Sequence, residues 1–125
     1  MERRDVESEG VARAFLRAME TGATAEEEMM SLFAENAVYL EPFSGRVQHH
    51  TGREAIRTVM RQGWKNPLPG IRIEVDSVAV AGAVVTAAWT CISPALPGGR
   101  ASGTNTYTIQ NGLITRLETT FASKQ

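Results

Sequence analysis

The spacing of apolar residues changes once along this chain, near Ile71, and that change restricts the fold more than any other feature. Before it, apolar positions recur every three or four residues, as along one side of a helix; after it they alternate, as on one side of a strand. Val11, Phe15, Leu16 and Met19 form a stripe with Arg13, Arg17 and Glu20 between them, and Gly22 is a natural stop for that helix. Thr24 with Glu27 three residues later matches a capping box, predicting a second helix that carries Met29, Met30, Leu32 and Phe33 and ends between Ala34 and Asn36. A short strand, Val38 to Glu41, and a polar loop follow. Thr51-Gly52-Arg53-Glu54 is another capping-box candidate, opening a third helix with Ile56, Val59, Met60 and Trp64 inward and stopping before Asn66-Pro67.

In the second half, Ile71, Ile73 and Val75 alternate with Arg72, Glu74 and Asp76. Ala81-Gly82 signals a turn, Val84 to Ile92 reads as a second long strand, and Ser93 to Gly99 is loop. Arg100 to Ile109 and Leu113 to Phe121 are two more strands, joined through Asn111-Gly112, a strong tight-hairpin dipeptide. Helices followed by an antiparallel meander make the class α+β. One curved sheet must cover its apolar face with the helices, and such packing leaves room for a pocket between them.

At 125 residues the chain reads as one domain, 1–125, with 42% apolar and 22% charged residues. A formal net charge of −1 provides no general field for nucleic acid. No apolar run approaches the roughly 20 residues of a membrane span, and "MERRDVESEG" lacks the apolar core of a secretory signal. The expectation is a cytoplasmic protein. A lone Cys91 rules out an internal disulfide and a cysteine-based zinc site. His49 and His50 are adjacent, so on an extended chain they point opposite ways; a loop role is expected for them, and no metal.

Two residues break the pattern in a chemically suggestive way. Along Arg100–Ile109, Ser102, Thr104, Thr106 and Thr108 share one face, and Ala101, Gly103, Asn105, Tyr107 and Ile109 the other. Alternation thus assigns the Asn105 amide to the apolar, inward side, where it needs hydrogen-bond partners or a ligand. In the last strand Leu113, Leu117 and Phe121 are assigned inward with Thr115 and Thr119, whose hydroxyls would line the same space. Val85, Ala87, Trp89 and Cys91 form one face of the preceding long strand, with Trp89 read either as a pocket wall or as ordinary core packing; Val84, Ala88 and Ile92 make its other face apolar too, which leaves its buried side open and is compatible with a second subunit there. The second anomaly is Glu41, a carboxylate that ends the apolar run Val38-Tyr39-Leu40 and is followed by Pro42, which favours extended backbone before it.

The order of elements, with "LFAENAVYLEPFSG" followed by "HHTGREAIRTVMRQG" and a closing "NTYTIQNGLITRLETTF", resembles the nuclear-transport-factor-2-like superfamily. Within it, the chain resembles the ketosteroid isomerase and SnoaL-like polyketide cyclase group. The resemblance covers nearly the whole chain and implies a cone-shaped, curved antiparallel sheet packed on three N-terminal helices. Carried over by position, Glu41 falls where ketosteroid isomerases keep the aspartate that moves the proton. Asn105 falls where they keep a protonated aspartic acid that donates to the developing enolate oxygen. Phe15, counted back from Gly22, falls where the oxyanion tyrosine would stand, and it has no hydroxyl to donate.

What this implies is a small cofactor-free enzyme of the isomerase, cyclase or lyase kind, acting on an apolar carbonyl compound. Glu41 would be the general base and Asn105 the oxygen donor, in a pocket walled by Phe15, Tyr39, Trp64, Trp89, Tyr107 and Thr119. A homodimer is the expected assembly. The same fold also serves as a non-catalytic ligand-binding or dimerisation module, and the same pair could instead direct a water in hydrolysis.

Overall fold

The computed structural model describes residues 3–122, with side chains from residue 6 onward; the outermost residues of the 1–125 span lie outside the described residues. Helix α1 (Arg3–Thr21) is followed by a 3₁₀ turn (Ala23–Ala25), α2 (Glu26–Met30), β1 (Phe33–Glu41), β2 (Gln48–Thr51) and α3 (Arg53–Trp64). The meander β3 (Arg72–Ala81), β4 (Val84–Ile92), β5 (Arg100–Gln110) and β6 (Leu113–Phe121) completes it. All six strands form one curved, unclosed sheet in the order β2-β1-β6-β5-β4-β3. Every pairing is antiparallel except β1 with β6, which run parallel.

The expected architecture holds, with local corrections. The second helix is shorter than its apolar spacing implies. Thr24 lies inside the 3₁₀ turn and no side-chain cap opens α2, which stops at Met30. Leu32 and Phe33 leave the helix because the chain is drawn into the sheet: Ile114 N–H donates to the Leu32 carbonyl, and Phe33 pairs with Ile114. Glu35 and Asn36 are exposed in β1, which removes the apolar signal that would mark a strand there. The ladder with β6 is interrupted between Phe33 and Val38, and the Arg53 guanidinium takes up the Phe33 carbonyl, with Nη2 at 2.8 Å. Gln48–Thr51, read as loop, is the edge strand β2. Helix α3 is capped by Gly52, whose φ of 97° suits glycine, with no side-chain cap from Thr51.

The hairpin at Asn111-Gly112 forms as its dipeptide requires, both residues having positive φ, 54° and 78°. Residues α1 turns inward, Ala12, Phe15, Leu16 and Ala18, meet the concave face of the sheet. Alternation correctly assigns the buried face of β5 (Gly103, Asn105, Tyr107, Ile109); in β4, where both faces are apolar in sequence, Val85, Ala87 and Trp89 are the buried ones. It fails in β6, where Ile114 and not Leu113 is fully buried. The ladder with β5 passes from Thr108–Arg116 to Ile109–Ile114, so Thr115 is an extra residue that reverses the parity before Leu117. Thr115 therefore does not join the inward hydroxyls; its Oγ1 donates to the Thr108 carbonyl. Asp76 is the corresponding extra residue in β3.

Candidate active site

Between α1 and the concave face lies a cavity of about 230 Å³. Phe15, Leu16 and Met19 of α1 form one wall; Tyr39, Trp89, Asn105 and Thr119 of the sheet form the opposite one. Phe43 and Phe121 stand at the mouth, 53% and 47% exposed, in an edge-to-face pair with ring centroids 5.4 Å apart.

Asn105 is 2% exposed and fully built into the wall. Its Oδ1 accepts from Trp89 Nε1–H at 2.9 Å and from the Thr119 hydroxyl at 2.8 Å, and its Nδ2–H donates to the Tyr107 hydroxyl at 2.9 Å. The indole nitrogen can only donate, so the amide orientation is unambiguous. With both lone pairs of Oδ1 used, Asn105 can offer a ligand only its second N–H. Tyr107, fully buried, sits behind Asn105 and is not part of the cavity wall. Burial pushes its phenol above the usual tyrosine range, and the hydrogen bond from Asn105 offsets that in part.

Glu41 closes β1 on the same face as Tyr39, two residues earlier. It is buried yet is not itself a wall residue; its neighbours Tyr39 and Phe43 are. Phe43 N–H donates to Oε1 at 2.8 Å, which ties the mouth residue to the carboxylate. Oε2 lies 2.8 Å from His50 Nε2. With Glu41 ionised, that nitrogen must carry a proton, because a carboxylate only accepts. Burial pushes the Tyr39 phenol above the usual range, the Glu41 charge adds to the shift, and the Thr119 hydroxyl opposes it.

The residues singled out from the sequence thus separate into groups. Phe15, Tyr39, Trp89, Asn105 and Thr119 share the cavity wall, Phe15 also packing edge-to-face on Tyr107 at 5.8 Å. Glu41 and Tyr107 stand one layer behind it. Trp64, at the end of α3, is partly buried against the core and lies outside this wall. His50 was missed. As one of two adjacent histidines it reads as loop, and only the β1–β2 register, Tyr39 opposite His50, brings it beside Glu41. Cys91 also lines the cavity, its thiol held above the ordinary range by burial. Among the described residues no three His, Cys, Asp or Glu side chains gather to hold a metal ion, and no helix is long and apolar enough to cross a membrane.

Comparisons with known proteins agree with this architecture. A structure from Kribbella flavida, provisionally assigned as a ketosteroid isomerase, is similar with a TM-score of 0.77 at 17% identity, covering 97% of this chain and 82% of that one. A provisionally assigned polyketide cyclase from Sinorhizobium meliloti gives 0.72 at 22% identity, covering 89% and 94%. A de novo designed protein with a curved β-sheet gives 0.74 at 19% identity, covering 98% and 88%. At these identities the likeness is one of fold, and a fold by itself does not imply an activity. No curated protein sequence matches. The SnoaL-like domain model, however, matches residues 12–117, from α1 through Leu117 of β6. The chain belongs to the SnoaL-like domain family.

Proposed function

We propose that this protein is a cofactor-free acid–base enzyme of the isomerase, cyclase or lyase kind, moving a proton next to the carbonyl of a small apolar molecule. The observation that carries this reading is a buried carboxylate, Glu41, set beside a phenol of an otherwise largely apolar cavity wall, Tyr39. Glu41 is the base. Its Oε1 keeps a lone pair beyond the one that accepts Phe43 N–H, and catalytic contacts commonly tighten only once substrate is bound. The Tyr39 hydroxyl and the second N–H of Asn105 are the donors for the oxygen on which charge builds. Phe15 contributes shape and not a hydrogen bond. The similarity to proteins provisionally assigned as a ketosteroid isomerase and a polyketide cyclase supports the same class of chemistry.

The test is exchange of the α-protons of β-tetralone in deuterated buffer, followed by NMR. Glu41→Gln should slow exchange by at least about 10²-fold while calorimetric affinity for the ketone changes little. Equal exchange in both proteins would leave the second reading, a non-catalytic binding module. That reading draws on the full occupation of Asn105 Oδ1 and the engagement of both Glu41 oxygens within the protein.

A further inference from the structure

We propose that Trp89 sets the size of the ligand, restricting the cavity to one- or two-ring apolar molecules. This rests on the reading of the cavity as a ligand site and goes beyond the reaction class. Its volume, about 230 Å³, falls below the roughly 300–1,000 Å³ of sites that enclose drug-sized molecules. At the packing density of protein interiors it holds on the order of ten to fifteen non-hydrogen atoms.

The limit is a hard one because the indole cannot step aside. Its Nε1–H is anchored on Asn105 Oδ1 at 2.9 Å. Its six-membered ring lies over the α-carbon of Gly103, the residue opposite it in the β4–β5 ladder, so closely that any side chain there would overlap it. Phe121 packs against it edge-on with centroids 6.4 Å apart. Asn105 is in turn fixed by Thr119 and Tyr107, so the wall behind the indole is braced by hydrogen bonds. The surface that the cavity presents is almost wholly apolar, so a ligand is selected there by its size and apolar shape.

Binding of cyclohexanone, β-tetralone and progesterone, measured by calorimetry, tests the size limit without reference to turnover. Wild type should bind β-tetralone at least tenfold tighter than progesterone. Trp89→Leu removes about one ring of volume and should narrow that ratio at least tenfold; Trp89→Phe, milder in case the leucine variant fails to fold, should shift it the same way. Progesterone binding to wild type as tightly as β-tetralone would overturn the proposal. So would an unchanged ratio in the folded variants, or no binding of any of the three ketones at millimolar concentration. Size-limited binding without α-proton exchange would sink the enzymatic reading alone, whereas exchange indifferent to ligand size would sink only the role of Trp89.

Discussion

Glu41 Oε2 stands 2.8 Å from His50 Nε2, with the carboxylate side chain 5% exposed and the imidazole 18%. The pair joins the end of β1 to β2, a four-residue strand that pairs with β1 at the edge of the sheet. It also leaves the carboxylate dependent on two donors, His50 and the Phe43 backbone.

Replacing His50 by Ala removes one of those donors from a buried carboxylate, a loss of roughly 1–3 kcal/mol. His50→Gln keeps a donor and should lose less than half as much. Urea denaturation measures both, and a His50→Ala protein as stable as wild type would show that the pair does not hold the edge strand.

The network around Asn105 predicts an ordering of two substitutions. Asn105→Leu strands the Trp89 N–H and the Thr119 hydroxyl, and leaves the Tyr107 hydroxyl with only its 3.5 Å bond to the Ala12 carbonyl; it should cost roughly 2–4 kcal/mol, with a weakened near-ultraviolet dichroism signal from the loosened indole. Asn105→Asp still accepts from Trp89 and Thr119, and Tyr107 can turn to donate, so it should be the milder change. The reverse order in urea unfolding would contradict the hydrogen-bond assignment.

Two glycines should respond oppositely to alanine. At Gly103 the new methyl would overlap the Thr120 carbonyl oxygen, which is backbone and cannot give way, as well as the Trp89 ring. Gly103→Ala should therefore destabilise by more than about 2 kcal/mol. At Gly10, exposed in the middle of α1 with nothing within 4 Å, alanine should stabilise by about 0.5–1 kcal/mol through helix propensity. Thermal unfolding of the two variants beside wild type decides it.

Arg61 and Arg57 hold the Glu26 carboxyl down to about 2, from an ordinary value of 4.5. A depressed carboxyl stabilises the folded state fully above its unfolded pKa and loses that contribution as pH falls through the folded one. The advantage of wild type over Glu26→Gln in melting temperature should thus be largest above pH 4.5 and shrink steadily toward pH 2. The charges sit near the surface, so 0.5 M salt should reduce it as well. A difference independent of both pH and salt would mean that the α2–α3 ion pairs contribute no stability.

Much of this fold is legible because side chains on a strand must alternate. That covalent fact places Asn105 and Tyr107 on the buried face. It misled in β6, where the bulge at Thr115 carries no local signature and reverses the parity of what precedes it. The bulge at Asp76 falls after the alternation of Ile73 and Val75 and leaves that pattern intact. The length of β1 was hidden for a related reason: Glu35 and Asn36 are exposed, and Arg53, twenty residues away from Phe33, completes the hydrogen bonding where the ladder breaks.

By itself, then, the sequence determined the class of fold, the helical and extended halves, the hairpin at Asn111-Gly112 and the inward amide of Asn105, all consequences of local period and backbone preference. Only the tertiary structure decided what those groups meet. His50 reaches Glu41 through the register of two strands, and Asn105 is filled by Trp89, Thr119 and Tyr107 from three strands. The space left between them depends on Gly103 lying opposite Trp89. Such pairings depend on the register and packing of segments far apart in the chain, and no single window of sequence contains both partners.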